Sequence, residues 1–411
     1  MTESDNVYDV IIIGAGPSGT IASMLLSGKG LRIALLEKSV FPRDKICGDA
    51  LSADVVNQLY KIDEYLGENF VKNVKKQNSA GVTFIAPNKK KLEIPFLNPL
   101  TPNSGGFISK RLDFDNFLFE QAASKSDIEI YQNIGILEIV DEKEFISIGC
   151  ADQHFKSKIV LGADGANSVV RKYLSKNKIE RKHHSAGVRQ YYENVKGFND
   201  GKHIELHFYK ELLPGYFWIF PLTENKANVG LGILSSTVAE KKINLRSKLK
   251  EIIESDPELR NRFSEAKPLE KVQGFGLPIG SKKRVISGNR YLLLGDAAAL
   301  IDPFTGEGIG NAIRSARIAT WHVQNCFKEN KFDAKFNLNY DREIYKRMWN
   351  ELRLGRSLQM LLKYPGLFNF IVNRAEKNES VRTLITSMLD DIDLKKELIK
   401  PSFYFKLFIN N

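Results

Sequence analysis

The sequence predicts an α/β fold, in which a strand–glycine–helix unit is interleaved with a second, β-sheet unit and followed by a helical C-terminal region. Three observations carry this. A β-branched run at 7–13 leads at once into Gly14-Ala15-Gly16-Pro17-Ser18-Gly19. Two further apolar runs, near 158–161 and 290–294, end in Gly-Ala-Asp-Gly and Gly-Asp-Ala-Ala. A third kind of segment, Tyr216-Phe217-Trp218-Ile219-Phe220, reads as an aromatic-rich strand.

Composition bounds the rest. The 411 residues suffice for a large core in two or three structural units. Hydrophobic residues make up 43% and charged residues 27%, as in ordinary soluble domains. No apolar run is long enough for a spanning helix. The first apolar run enters a glycine motif directly, so a signal peptide is not expected. Cys47, Cys150 and Cys326 are too widely spaced for a disulfide framework or a metal signature. They fit a reducing, cytoplasmic setting. The histidines are scattered apart from His183 and His184, and no metal site is expected. The net charge of +11 favours anionic partners without choosing among them. The lysines are dispersed and no nucleic-acid motif accompanies them, so the expectation is a soluble basic surface that binds no nucleic acid.

The first forty residues carry the chemistry. Residues 7–13 form a buried strand, 20–27 a helix with Ile21, Ala22, Leu25 and Leu26 on one face, and 31–36 a second strand ending at Glu37. Gly14 permits the tight turn, Gly16 lets the backbone approach a pyrophosphate, and Gly19 allows close helix–strand packing. The helix N-terminus offers unpaired N–H groups and a positive dipole end to phosphates. Glu37 is placed to accept hydrogen bonds from ribose hydroxyls. This start fits NAD as well as FAD.

The Asp164-Gly165 turn and the Gly295-Asp296 segment, in that order after the glycine loop, decide for FAD. Together the three segments resemble the para-hydroxybenzoate hydroxylase-like flavoproteins, which include aromatic hydroxylases, flavin halogenases and geranylgeranyl reductases. The resemblance runs to about residue 345 and implies a Rossmann-like FAD-binding domain. It implies that Asp296 hydrogen-bonds a ribityl hydroxyl. Asp164 either contacts the cofactor or holds its own turn. Arg111 matches an arginine that packs near the flavin, the alternative being a solvated helix-end residue. Residues 302–311 lead into a helix with a buried face, and backbone groups of Gly306, Gly308 and Ile309 are expected against the flavin ring. That helix end would favour negative charge on the pyrimidine side of reduced flavin. No second glycine fingerprint follows a strand, so a separate nicotinamide-binding domain is not expected. NAD(P)H, another flavin and a protein remain open as electron donor.

The branch within the family rests on three segments. Residues 41–50, Phe-Pro-Arg-Asp-Lys-Ile-Cys-Gly-Asp-Ala, resemble the geranylgeranyl-reductase segment. This likeness implies that Lys45, Cys47 and Gly48 lie at the flavin and that Cys47 donates a proton during alkene reduction; the alternative is a small buried residue. Residues 214–222 and 228–232 resemble the reductase pattern of Pro-Gly-Tyr, an aromatic strand, Phe-Pro and Asn-Val-Gly. Tyr216, Trp218 and Phe220 would then wall an apolar substrate tunnel, or else serve as sheet core. Halogenases carry tryptophan and isoleucine where Tyr216 and Phe220 stand, which points away from halogenation. The third segment is the apolar, aromatic stretch from about Tyr345 to the end, read as a helical cap or as a surface that meets membrane lipid.

The expected organisation is an FAD-binding domain at 1–75, 100–175 and 272–345, a substrate domain at 76–99 and 176–271, and a helical region at 346–411. The expected activity is reduction of carbon–carbon double bonds in a prenyl lipid, with hydride from N5 of reduced flavin. Its partners would be a small-molecule or lipid substrate, with peripheral membrane contact. The alternatives are a flavin-dependent monooxygenase or halogenase acting on an aromatic or polyketide, and a flavin-bearing binding protein without turnover.

Overall fold

A computed structural model describes residues 7–96, 106–175 and 177–382. The chain divides into two compact units. One comprises Met1–Lys45, Arg111–His183 and Leu277–Arg353; the other comprises Ile46–Lys110, His184–Gly276 and Leu354–Asn411.

The first unit is a doubly wound sheet. Its parallel core runs Tyr291–Leu293, His154–Gly162, Val7–Ile13, Ile33–Leu36, Ile128–Tyr131. Central strands covered on both faces need continuous apolar runs, and Val10, Ile11, Ile12 and Ile33 to Leu35 are fully buried. Ser287–Gly288 pairs antiparallel at one edge, and the hairpin Ile136–Asp141/Ile146–Cys150 extends the His154–Gly162 strand. The helix Pro17–Leu26 packs against the helices Arg111–Ala123 and Ile309–Glu329. Gly14 lies at φ +100°, where only glycine is relaxed. A Cβ on Gly19 would stand 1.8 Å from the Gly14 carbonyl oxygen, so the helix meets the loop only because that carbon is missing.

The second unit is built on a larger sheet in the order Lys267–Pro268, His184–Glu193, Lys226–Leu234, Tyr216–Pro221, Ile204–His207, Gly81–Ile85, Lys91–Pro95. Side chains alternate across it. Val188, Phe217, Ile219, Val229 and Leu231 pack against Leu249, Ile252 and Leu259 of the helices Leu245–Ser255 and Pro257–Arg262. Arg189, Tyr191, Trp218, Phe220 and Asn228 therefore project from the opposite face. Residues 46–75 and 106–110, which the sequence grouped with the dinucleotide-binding segments, group here with the sheet unit, whereas 177–183, expected in the substrate domain, group with the first unit. The reason is local pairing: Ala50–Leu51 pairs with Gly106–Ile108, which also pairs with Gln77–Ser79. The helices Ala334–Leu361 and Pro365–Lys377 continue the chain. The aromatic end at 401–409 lies outside the described residues. Among those described, no helix is long and apolar enough to cross a membrane.

Candidate functional site

In the first unit the three signature segments converge at the ends of adjacent parallel strands. Gly14 follows Val7–Ile13, and Asp164 follows His154–Gly162, which pairs with that strand. Asp296 follows Tyr291–Leu293, the next strand along. A Cβ on Gly14 would stand 2.5 Å from the Ala163 carbonyl oxygen, so the first two segments touch through their backbones. Arg171 ties the second segment to the third, donating to the carbonyls of Ala166 and Ala297. Ser315 accepts the Gly295 N–H at 2.9 Å and anchors the third segment to the long helix.

Glu37 is buried, and its carboxylate accepts the N–H of Ala15 at 2.8 Å and of Ser39 at 3.0 Å. The acid at the end of the second strand is thus fastened to the glycine loop. Gly16 behaves differently from its neighbours in that loop. A Cβ built there meets only Nη2 of Arg43, at 3.7 Å. The Gly16 backbone therefore faces a space bordered by a guanidinium rather than by packed protein.

Arg43 is held from behind. Its Nη1 donates to Asp115 Oδ2 at 2.7 Å, and its guanidinium lies 4.8 Å from the Phe41 ring centroid. Asp115 also accepts two bonds from Arg111, at 2.6 and 2.7 Å. Arg111 is 2% exposed, so it is no solvated helix-end residue. Burial alone would raise the Asp115 carboxyl, but the charges of Arg111 and Arg43 outweigh it and hold that carboxyl below the usual range.

Asp164 does two things. Its Oδ2 accepts the N–H groups of Val169 at 2.6 Å and Val170 at 3.3 Å, which shapes the turn. Its Oδ1 is buried with no partner among the described residues. Burial pushes this carboxyl up. Asp296 receives Lys45 Nζ at 3.3 Å. Gly308 stands close on its other side, where a Cβ would lie 3.2 Å from Asp296 Oδ1.

The loop before the long helix is preorganised by Asp302, whose Oδ1 accepts the N–H groups of Phe304 and Thr305 at 2.9 and 2.8 Å. Gly306 takes φ +73° in that loop. The helix Ile309–Glu329 then begins with no side-chain cap and no acid in its first turn. Its first N–H groups have no intrahelical partner and carry the positive end of the dipole.

These features fit FAD. The cradle at Gly16 with Arg43 suits a pyrophosphate, the buried unpaired oxygen of Asp164 suits a hydroxyl donor, and the uncapped helix start suits the electron-rich edge of a flavin. Among the described residues no cluster of His, Cys, Asp or Glu could hold a metal ion.

The second unit carries the other predicted residues. Cys47 is half-buried. A Cβ on Gly48 would lie 2.9 Å from Cε2 of Phe220 and 3.8 Å from Nε1 of Trp218. Trp218 and Phe220 therefore pack on the Cys47-Gly48 segment, and both are nearly buried, at 5% and 7% exposure. Tyr216, on the same face, is only partly covered. It borders Trp218 and Phe208, with ring centroids 6.2 and 5.8 Å away.

The comparisons with known proteins agree with this geometry. A family model described as an FAD binding domain matches residues 7–350. The digeranylgeranylglycerophospholipid reductase of Methanosarcina acetivorans is 31% identical over 377 residues, covering 88% of this chain and 85% of that protein. The chain belongs to the geranylgeranyl reductase family of FAD-dependent oxidoreductases. The reductase of the same name from Methanocaldococcus jannaschii is 28% identical, with 99% of both chains covered. Among solved structures, a geranylgeranyl bacteriochlorophyll reductase-like protein from Thermoplasma acidophilum superimposes with a TM-score of 0.79 at 22% identity, covering 98% of this chain and 99% of that one. The halogenase PltM in complex with phloroglucinol and FAD gives 0.73 at 16%, covering 97% and 85%. At these identities the structures share a fold. This family member is an enzyme and its cofactor is FAD.

Sequence reasoning passed over Arg43, Arg171, Asp49 and Asn228. Arg43 and Asp49 sit inside the 41–50 segment and Asn228 inside the Asn-Val-Gly stretch, so the segments were flagged without these side chains. Arg171 carries no local signal.

Proposed function

We propose that this flavoprotein saturates carbon–carbon double bonds of a prenyl lipid of the geranylgeranyl type. The observation that carries the reading is the Cys47-Gly48 segment, clamped by an aromatic strand, in a chain that also builds an FAD site. The names of its reductase relatives support the substrate class.

When bound and reduced, FAD supplies hydride from N5 to one carbon of the double bond. The chain's residues do the rest. Gly14, Gly16 and Gly19 shape the phosphate loop, and Arg43 adds a charge-assisted donor beside it. Glu37 would accept from the adenosine ribose, and Asp296, steadied by Lys45, would accept from the ribityl chain. Asp164 offers Oδ1 to the cofactor while Oδ2 keeps its turn. Backbone groups of Gly306, Gly308 and Ile309 would meet the pyrimidine edge. Arg111 acts through Asp115, which aims Arg43. Cys47 donates its thiol proton to the second carbon and regains it from solvent. Trp218 and Phe220 support that segment across Gly48, and Tyr216 borders the substrate. An external two-electron donor, NAD(P)H, another flavin or a protein, would be required to regenerate the reduced cofactor.

The test is anaerobic reduction of the holoprotein followed by mixing with geranylgeranyl lipids or with oxygen. Faster flavin reoxidation by the lipid, with a product two hydrogens heavier, is the expected result. Unchanged lipid, with oxygen-dependent hydroxylation of an aromatic instead, would select a monooxygenase. A bound flavin that no donor reduces would select a binding protein.

A further inference from the structure

Asn228 is fully buried, and both amide hydrogens and the amide oxygen of its side chain have partners. Its Oδ1 accepts the indole N–H of Trp218 at 2.9 Å. An indole N–H can only donate, so this bond fixes which way the amide faces. Nδ2 then donates to the carbonyl oxygen of Cys47 at 2.8 Å and to Oδ2 of Asp49 at 2.8 Å. The same Oδ2 accepts the Tyr191 hydroxyl at 2.6 Å. Asp49 is itself fully buried and sits at φ +68°, a backbone conformation that costs a non-glycine residue. Its carbonyl accepts the Ser109 N–H at 3.0 Å. Gly48, between Cys47 and Asp49, lies under the Phe220 ring, where a Cβ would stand 2.9 Å from Cε2.

The Cys47–Asp49 turn is thus held at three consecutive residues, while the Cys47 side chain takes no part in the clamp. A strained turn fixed this fully beside a half-buried thiol is more than sheet packing requires. We propose that Asn228 is a positioning residue: by holding the Cys47 carbonyl and the Asp49 carboxylate at once, it sets the direction from which the Cys47 thiol delivers its proton. This rests on the reading of Cys47 as the acid.

A double-mutant cycle tests it, using Asn228→Ala, Cys47→Ala and the pair in FAD-loaded full-length chain. Each single change is expected to slow lipid saturation in an anaerobic single turnover by about tenfold or more, with KM for the lipid little changed, and the pair to be no slower than Cys47→Ala alone. A second readout is independent of turnover. Alkylation of Cys47 by iodoacetamide, mapped by peptide mass, should change in rate by about threefold or more in Asn228→Ala, while Cys150 reacts as before. Retained flavin spectrum and melting temperature establish that the variant is folded. If it is not, Trp218→Phe, which removes the indole N–H that orients the amide together with part of the ring, is expected to move both readouts in the same direction. Fully additive slowing, or unchanged Cys47 alkylation, overturns the proposal. Full activity of Cys47→Ala instead overturns the reading of Cys47 as the acid, and the alkylation rate still decides whether Asn228 positions the thiol.

Discussion

Two arginines share one carboxylate at Asp115. The group is fully buried, and its charge is held by three hydrogen bonds from Arg111 and Arg43, two of them from Arg111. A carboxyl held below its usual range stabilises the fold at neutral pH and loses that contribution as pH falls through the folded-state value. Asp115→Asn should therefore cost about 3–5 kcal/mol near neutrality, since it leaves the buried Arg111 and the partly buried Arg43 short of a counter-charge. Urea unfolding of the variant should also depend less on pH on the acid side; an unchanged acid limb would remove Asp115 from that role. Arg43→Gln addresses the cofactor instead. Arg111 still neutralises Asp115, so the variant should fold while binding FAD roughly tenfold more weakly by fluorescence titration. Unaltered affinity would show that Nη2 of Arg43 does not serve the phosphates.

At the scale of the element, the strand Tyr216–Pro221 divides its labour by parity. Phe217 and Ile219 fill the core beneath the helices, and Trp218 and Phe220 cover the Cys47–Asp49 turn. Trp218 can lie flat because its cross-strand partner is Gly230. A Cβ on Gly230 would stand 2.3 Å from Trp218 Cζ2 and equally close to the Val188 carbonyl oxygen. One of those neighbours is backbone in the middle of a sheet and has nowhere to move. Gly230→Ala should thus lose about 1–3 kcal/mol in chemical denaturation and displace the indole from Asn228, visible as a change in tryptophan fluorescence. A variant with wild-type stability would mean that the strands can part without cost.

For the whole molecule, each unit is assembled from three separate stretches of chain. Ligand binding to the native state alone should stabilise it by mass action. Free FAD at about a hundred times its dissociation constant adds about 2.7 kcal/mol, so stripping the cofactor should lower the melting temperature and readdition restore it. An identical melting curve with and without FAD would contradict a cofactor bound only by the folded chain. The net charge of +11 also bears on how the proposed lipid substrate would be met. Tyr364 and Phe370 are exposed on and beside the helix Pro365–Lys377, which carries Arg374 and Lys377 in its last turn. Co-sedimentation with anionic vesicles but not zwitterionic ones, lost at high salt, is the expected outcome. Equal behaviour toward both would argue that substrate arrives another way.

What was legible in the sequence is what is written in adjacent residues. The turn at Gly14, the open backbone at Gly16, the close contact at Gly19 and the acid at the end of the next strand are constraints on one short segment, so their residue types reveal them. The Asp-Gly and Gly-Asp segments add strand ends of the same local kind, and Cys47-Gly48 stands out as a segment. Tertiary structure alone decided who serves whom. Asn228 reaches Cys47 across 181 positions and Asp115 reaches Arg43 across 72. Such pairs depend on sheet register and helix placement, which a single sequence does not display. The same holds for Trp218 and Phe220: the aromatic strand was visible, but only the cross-strand glycine and the turn at Gly48 determined that its rings hold that turn.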